Sequence, residues 1–123
     1  SWEPRGVVIH FSGRTSIRDI VDASVAYAGD VRFDELRYVL ADYTEIEGCD
    51  ATPGEIDDVW ALDVGAKASN REIRKAIVTR DPEVIALARR YRSAPDPAFP
   101  IAIFGHRTAA RAWLQAGQAE PAN

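Results

Sequence analysis

Residues 49–57, CDATPGEID, follow closely on the apolar run LRYVLAD and bring a hydroxyl, a thiol and several acids together at the start of a helical pattern. A hydroxyl placed there can hold phosphate, serve as a phosphorylation switch or cap the helix. Thr52 is followed by Pro53 and, three residues on, by Glu55, which is the spacing of a capping box with proline in the first turn. Phosphate on Thr52 would sit acceptably at a helix N-terminus. However, Asp50, Glu55, Asp57 and Asp58 already crowd the position with like charge, and no arginine lies near in sequence. Thr52 therefore reads as a helix cap first and a phosphorylation site second.

A second group gathers at the predicted carboxyl ends of the strands, where open α/β sheets hold ligands. It comprises Arg14, Asp42, Arg80 and His106. Guanidinium forks suit carboxylates and phosphates, so the set fits a small anionic ligand, or an apolar, lipid-like one with a polar head. The plainer reading is a ring of loop residues satisfying helix starts, with Asp42 paired to Arg14 or Arg80. Neither SGRTS nor GHRTAAR has the spacing of a glycine-rich phosphate loop. Catalytic signals are weaker. His10 lies within an apolar strand and reads as a packed, hydrogen-bonded histidine; His106 has no identifiable nucleophile; Cys49 has no predictable histidine beside it. The acids of DYTEIEGCD lack the regular spacing of a calcium loop. No enzyme activity, metal or cofactor is expected. Asp63 shares a helix face with Ile56, Val59 and Trp60, and a carboxylate buried there needs a partner. An arginine, a neighbouring helix start, a pocket, or solvent at the helix edge would each serve.

The elements that must position these residues are four strands and four helices in alternation. GVVIHF (6–11), LRYVLA (36–41), KAIVT (75–79) and PIAIF (100–104) are short, β-branched or aromatic, and bounded by Gly, Pro or Asp. Between and after them, SIRDIVDASVAYA, TPGEIDDVWALDVGAKA, DPEVIALARRY and RTAARAWLQAG carry helical periodicity, with Ser16, Thr52 and Asp81 as caps and Gly117 as the stop. Val84, Leu87, Ala88 and Tyr91 form one inward stripe, and Ala110, Trp113 and Leu114 another. Strands joined by helices of this length run parallel. Pro4 and Gly6 predict a turn that folds Ser1-Trp2 back as an antiparallel strand. The expected fold is thus a single α/β domain over 1–117, a mixed, mostly parallel sheet with about four helices, followed by a frayed tail at 118–123. SAPDPAFP (93–100) reads as a proline-rich connection within it.

Bulk properties bound the function. A chain of 123 residues with 46% hydrophobic and 28% charged residues is an ordinary globular mixture. Net charge of −4 with no basic block argues against nucleic acid. No apolar stretch approaches the roughly 20 residues of a membrane span, and no basic-then-apolar leader opens the sequence. The single cysteine fits a reducing compartment, so the expectation is a cytoplasmic protein.

GVVIHFSGRTS, DVRFDELRYVLADYTE, IRKAIVTRDPEVIALARRY and IAIFGHRTAARAWL together resemble the STAS-like family related to sporulation anti-sigma-factor antagonists, in particular its small stand-alone bacterial proteins. The resemblance covers almost the whole chain, mostly at core and turn positions. It implies a non-enzymatic regulatory module that works by protein–protein contact. It also implies a regulatory hydroxyl just after the second long strand, where this chain has DATPGE with Asp50 and Thr52. The subgroup is further compared with CRAL-TRIO-type lipid-binding folds. Trp60 and Trp113 would mark a partner surface if their helices were left uncovered, and a two-fold homodimer is the commonest assembly for a domain of this size.

Overall fold

The computed structural model describes residues 1–95 and 98–119. Its strands are β1 (Trp2–Glu3), β2 (Gly6–Thr15), β3 (Tyr38–Cys49), β4 (Arg74–Val78) and β5 (Ile101–Phe104). Its helices are α1 (Ile17–Ala28), α2 (Pro53–Lys67), α3 (Pro82–Arg92) and α4 (Arg107–Ala119), with a short 3-10 turn over Val31–Glu35. The sheet runs in chain order, β1-β2-β3-β4-β5; β1 is antiparallel to β2 and all other neighbours are parallel. The expected α/β fold, with its side-by-side parallel strands, is what forms. Among the described residues, no helix is long and apolar enough to cross a membrane.

Local chemistry accounts for the helix starts. Ser16 with Asp19 and Thr52 with Glu55 each close a complete capping box, and Asp81 accepts from the backbone N–H groups of Glu83 and Val84. Pro53 and Pro82 occupy the first helical turns. The opening hairpin turns through Pro4 and Arg5. The left-handed residue there is Arg5 (φ 66°), not Gly6. Gly6 is required for a different reason: a Cβ there would overlap the Tyr38 ring.

Because every crossover steps to the next strand on the same side, α1, α2 and α3 pack on one face of the sheet and α4 alone covers the other. The larger core lies under α1–α3 and includes Val39, Ile73, Ile77, Val84, Leu87 and Phe99. The smaller core joins Val8, Leu40, Ala76 and Val78 to Ala110 and Leu114 of α4. The predicted inward stripes of α3 and α4 are found in these cores.

β3 starts at Tyr38, two residues late, β4 sits one residue earlier than expected and β5 starts one residue later; three other boundaries differ for a physical reason. β2 continues to Thr15 and β3 to Cys49, although the sequence reading ended both near the edge of the apolar run. Their distal halves mix polar residues and glycines, as suits a two-stranded extension with one solvated face. The register shifts at His10–Ser12 and at Gly13–Arg14, and Gly13 adopts φ 67°. α4 does not stop at Gly117 but runs on to Ala119. Gly117 is small because the Arg74 side chain occupies the space a Cβ would need, with its guanidinium 3.9 Å from the Trp113 ring centroid. The predicted frayed tail therefore begins within a helix, and 120–123 lie outside the described residues, as do 96 and 97 of the proline-rich connection.

Candidate functional site

Asp42 lies inside β3 and Arg14 inside β2, not beyond strand ends as expected, and each member of the predicted set has its own partner. Arg14 forms an ion pair with Asp50. Asp42, 2% exposed, receives Arg107 Nε at 2.5 Å and the Thr44 N–H and hydroxyl at 2.8 and 2.6 Å. Arg80 donates to the Gly105 carbonyl at 3.2 Å and lies 3.1 Å from His106 Nδ1. Asp42 is thus paired with Arg107, not with Arg14 or Arg80. Arg14 sits four residues past His10, the register partner of Asp42, or about 13 Å along the strand. Of the four residues, only Arg80 and His106 come together. The reason is topological: strand order never reverses, so there is no switch point at which loops from the two sides of the sheet open a crevice.

Thr52 is exposed. Its hydroxyl accepts from the Glu55 N–H at 3.3 Å, and the Glu55 carboxylate accepts from the Thr52 N–H at 2.9 Å. Asp50 beside it is held below its ordinary pKa by Arg14. Cys49 is buried, and burial pushes its thiol up, which makes it a poor nucleophile. His10 is exposed rather than packed, with Nε2 3.3 Å from Glu45 and Nδ1 4.0 Å from Asp42. It lies on the α4 side of β2, and α4 packs mainly over β4 and β5. Burial would raise the Asp42 pKa, but the Thr44 and Arg107 hydrogen bonds outweigh it and hold the carboxyl low.

The densest buried chemistry lies under α1–α3. Asp63 is 1% exposed, and its Oδ2 takes Lys75 Nζ at 2.5 Å and the Tyr91 hydroxyl at 2.6 Å. Lys75 opens the core-facing row of β4, with the rings of Tyr27, Tyr91 and Phe99 centred 5.5–5.6 Å from its ammonium. Burial works against that ammonium; Tyr27, Asp63 and Tyr91 outweigh it and keep the pKa well above the ordinary lysine value. Burial likewise pushes the Tyr91 hydroxyl far up, so it stays a donor. Of the alternatives its helix face left open, Asp63 takes burial with a partner, and that partner is a lysine, not an arginine. Lys75 was missed because a lysine at the head of KAIVT reads as a solvated strand start. The period of two that places Ile77 inward places Lys75 inward as well.

Compared with known proteins, the chain matches no family model, no curated protein and no solved structure.

Two further polar contacts bind the margins. Glu3 joins Arg111 of α4 at 2.6 and 2.7 Å and also accepts from the Tyr38 hydroxyl, and these hydrogen bonds bring its pKa down to about 2. Buried Asn70 donates to the Phe33 and Leu36 carbonyls at 2.7 and 2.8 Å, which ties the 3-10 turn to the connection before β4. Among the described residues, no group of three or more His, Cys, Asp or Glu side chains is arranged to hold a metal ion.

Proposed function

We propose that this chain is a STAS-like, non-enzymatic regulatory module of the bacterial cytoplasm that acts by binding a protein partner at the distal end of β3. One observation carries this reading. β4 accompanies β3 only as far as the Asp42–Val78 pair, whereas β3 runs seven residues further to Cys49. Among the described residues, no strand pairs with that stretch on the side away from β2. A strand edge of this kind accepts an added strand through its free backbone groups. Glu45 and Glu47 are exposed along it, which suits a partner segment carrying Lys or Arg. Thr52 stands exposed just past the same edge, so phosphate there would add charge next to the docking strand and alter partner preference.

A photo-crosslinking residue placed at Glu47, with a control at exposed Arg89 of α3, tests the proposal in the host. The expected outcome is one discrete adduct from position 47, none from position 89, and loss of the position-47 adduct when Glu45 is also changed to Lys. Equal labelling from the two positions would sink it. Thr52→Ala should lower stability by about 1 kcal/mol through loss of the cap alone. A phosphate mass shift in the wild type that is absent from this variant would add the switch.

A further inference from the structure

Between the sheet and α1–α3 lies a cavity of about 80 Å³. We infer that it binds a compact, uncharged apolar molecule bearing one carbonyl-type oxygen, which accepts hydrogen bonds from Tyr27 and Lys75. This inference is independent of the β3 edge.

The cavity is apolar over most of its wall, built from side chains such as Ile9, Ile77, Val84 and Leu87, with Tyr27 and Lys75 also lining it. Tyr27 is 3% exposed and its buried hydroxyl has no hydrogen-bond partner among the described residues. A buried hydroxyl left in that state loses its hydration without compensation, so it marks a place where an acceptor belongs. Lys75 has three N–H groups, and Asp63 is its one hydrogen-bond acceptor among the described residues. The spare Lys75 N–H groups can only donate and the Tyr27 hydroxyl can donate as well, so a single accepting oxygen answers both.

Charge narrows the class. Lys75 and Asp63 already neutralise each other, so an added anion would leave an uncompensated charge in the core. A neutral carbonyl oxygen offers two lone pairs to the two donors. Because Asp63 keeps Lys75 protonated, the amine binds that oxygen by hydrogen bonding and does not attack its carbon. Size and polarity narrow it again. The cavity has room for two or three waters, but each water needs several polar partners and the wall is mostly apolar. A molecule of about four heavy atoms with an alkyl body meets both halves of the surface. Half-exposed Ile20, Ala23 and Ile101 stand between the cavity and solvent.

Acetone, isobutene and acetate share one shape and differ in the head group, so methyl-detected NMR titrations with the three probes test the inference. Acetone should shift the Ile9, Ile77, Val84 and Leu87 methyls saturably and bind roughly fivefold more tightly than isobutene, the difference of one net hydrogen bond. Acetate should bind more weakly than acetone. In Tyr27→Phe most of the acetone advantage should vanish. Asp63→Leu combined with Lys75→Met provides a second variant that should bind acetone no better than isobutene. Isobutene binding as tightly as acetone, acetate binding more tightly, unchanged acetone binding in Tyr27→Phe, or no saturable shift with acetone would each overturn the inference.

Discussion

On the α1–α3 face the sheet seals one ion pair, Asp63–Lys75, among rings and aliphatic chains. On the α4 face it keeps its charges at the margin, where Glu3 meets Arg111 and Asp42 meets Arg107 beside a small, wholly apolar centre. The two faces are built on the same strands, whose residues alternate between them. What differs is the depth of the core that three helices make compared with one. In the deep face a charge has no route to water and must be answered inside, so the pair there is strongly coupled to folding. At the margin, water and salt screen the Glu3–Arg111 pair and its contribution to stability is small, whereas Asp42 is itself buried and meets solvent through the half-exposed Arg107.

The largest expected effect comes from separating the sealed pair. Asp63→Asn or Lys75→Met should each lower unfolding free energy by about 3–5 kcal/mol in urea denaturation, because each leaves a buried group unanswered. The double variant Asp63→Leu/Lys75→Met should recover most of that loss or exceed wild-type stability. Additive losses in the double variant would mean that the pair is not insulated as the geometry indicates. Next, Leu114→Ala on the α4 face should lose about 2–3 kcal/mol, the loss expected for an emptied apolar site with no charge effect attached. An equal loss at low and high salt distinguishes this site from the margins.

The smallest effect belongs to the Glu3–Arg111 contact. Arg111→Ala should lose about 0.5–1 kcal/mol at neutral pH. The Glu3 pKa is lowered from 4.5 to about 2 in the folded protein. Its contribution is therefore complete above about pH 4.5 and fades as pH falls towards 2. The difference between wild type and Arg111→Ala in denaturation midpoint should close over that window. A difference that persisted at pH 2 would mean that the arginine stabilises by packing.

Much of the fold was legible because the sequence states it twice, once in hydrophobic period and once in caps: Ser16, Thr52 and Asp81 start their helices where the patterns begin. The far ends of β2 and β3 were not legible. Glycines and charged residues in a two-stranded extension look the same in sequence as a loop, and only the register with a neighbour tells them apart. Gly117 was misjudged for a related reason, since it answers Arg74, a residue far away in sequence. The rim residues were placed at strand ends because the apolar runs stop there, yet Asp42 lies inside β3 and Arg14 inside β2; their partners depend on which side of the sheet each segment leaves. Asp63 was legible as an anomaly from its helix face alone. Its answer in Lys75 required applying the strand period to a charged residue as strictly as to an apolar one.

Spatial order in the sheet equals order of synthesis. Each parallel strand therefore finds its neighbour already made, and the sheet can extend by docking one βα unit after another without waiting for distant segments. The surface formed by Leu40, Ala76 and Val78 is the exception. It stays uncovered until α4 arrives last, and a chain ending before Arg107 would carry that bare apolar strip into the cell as a site for self-association.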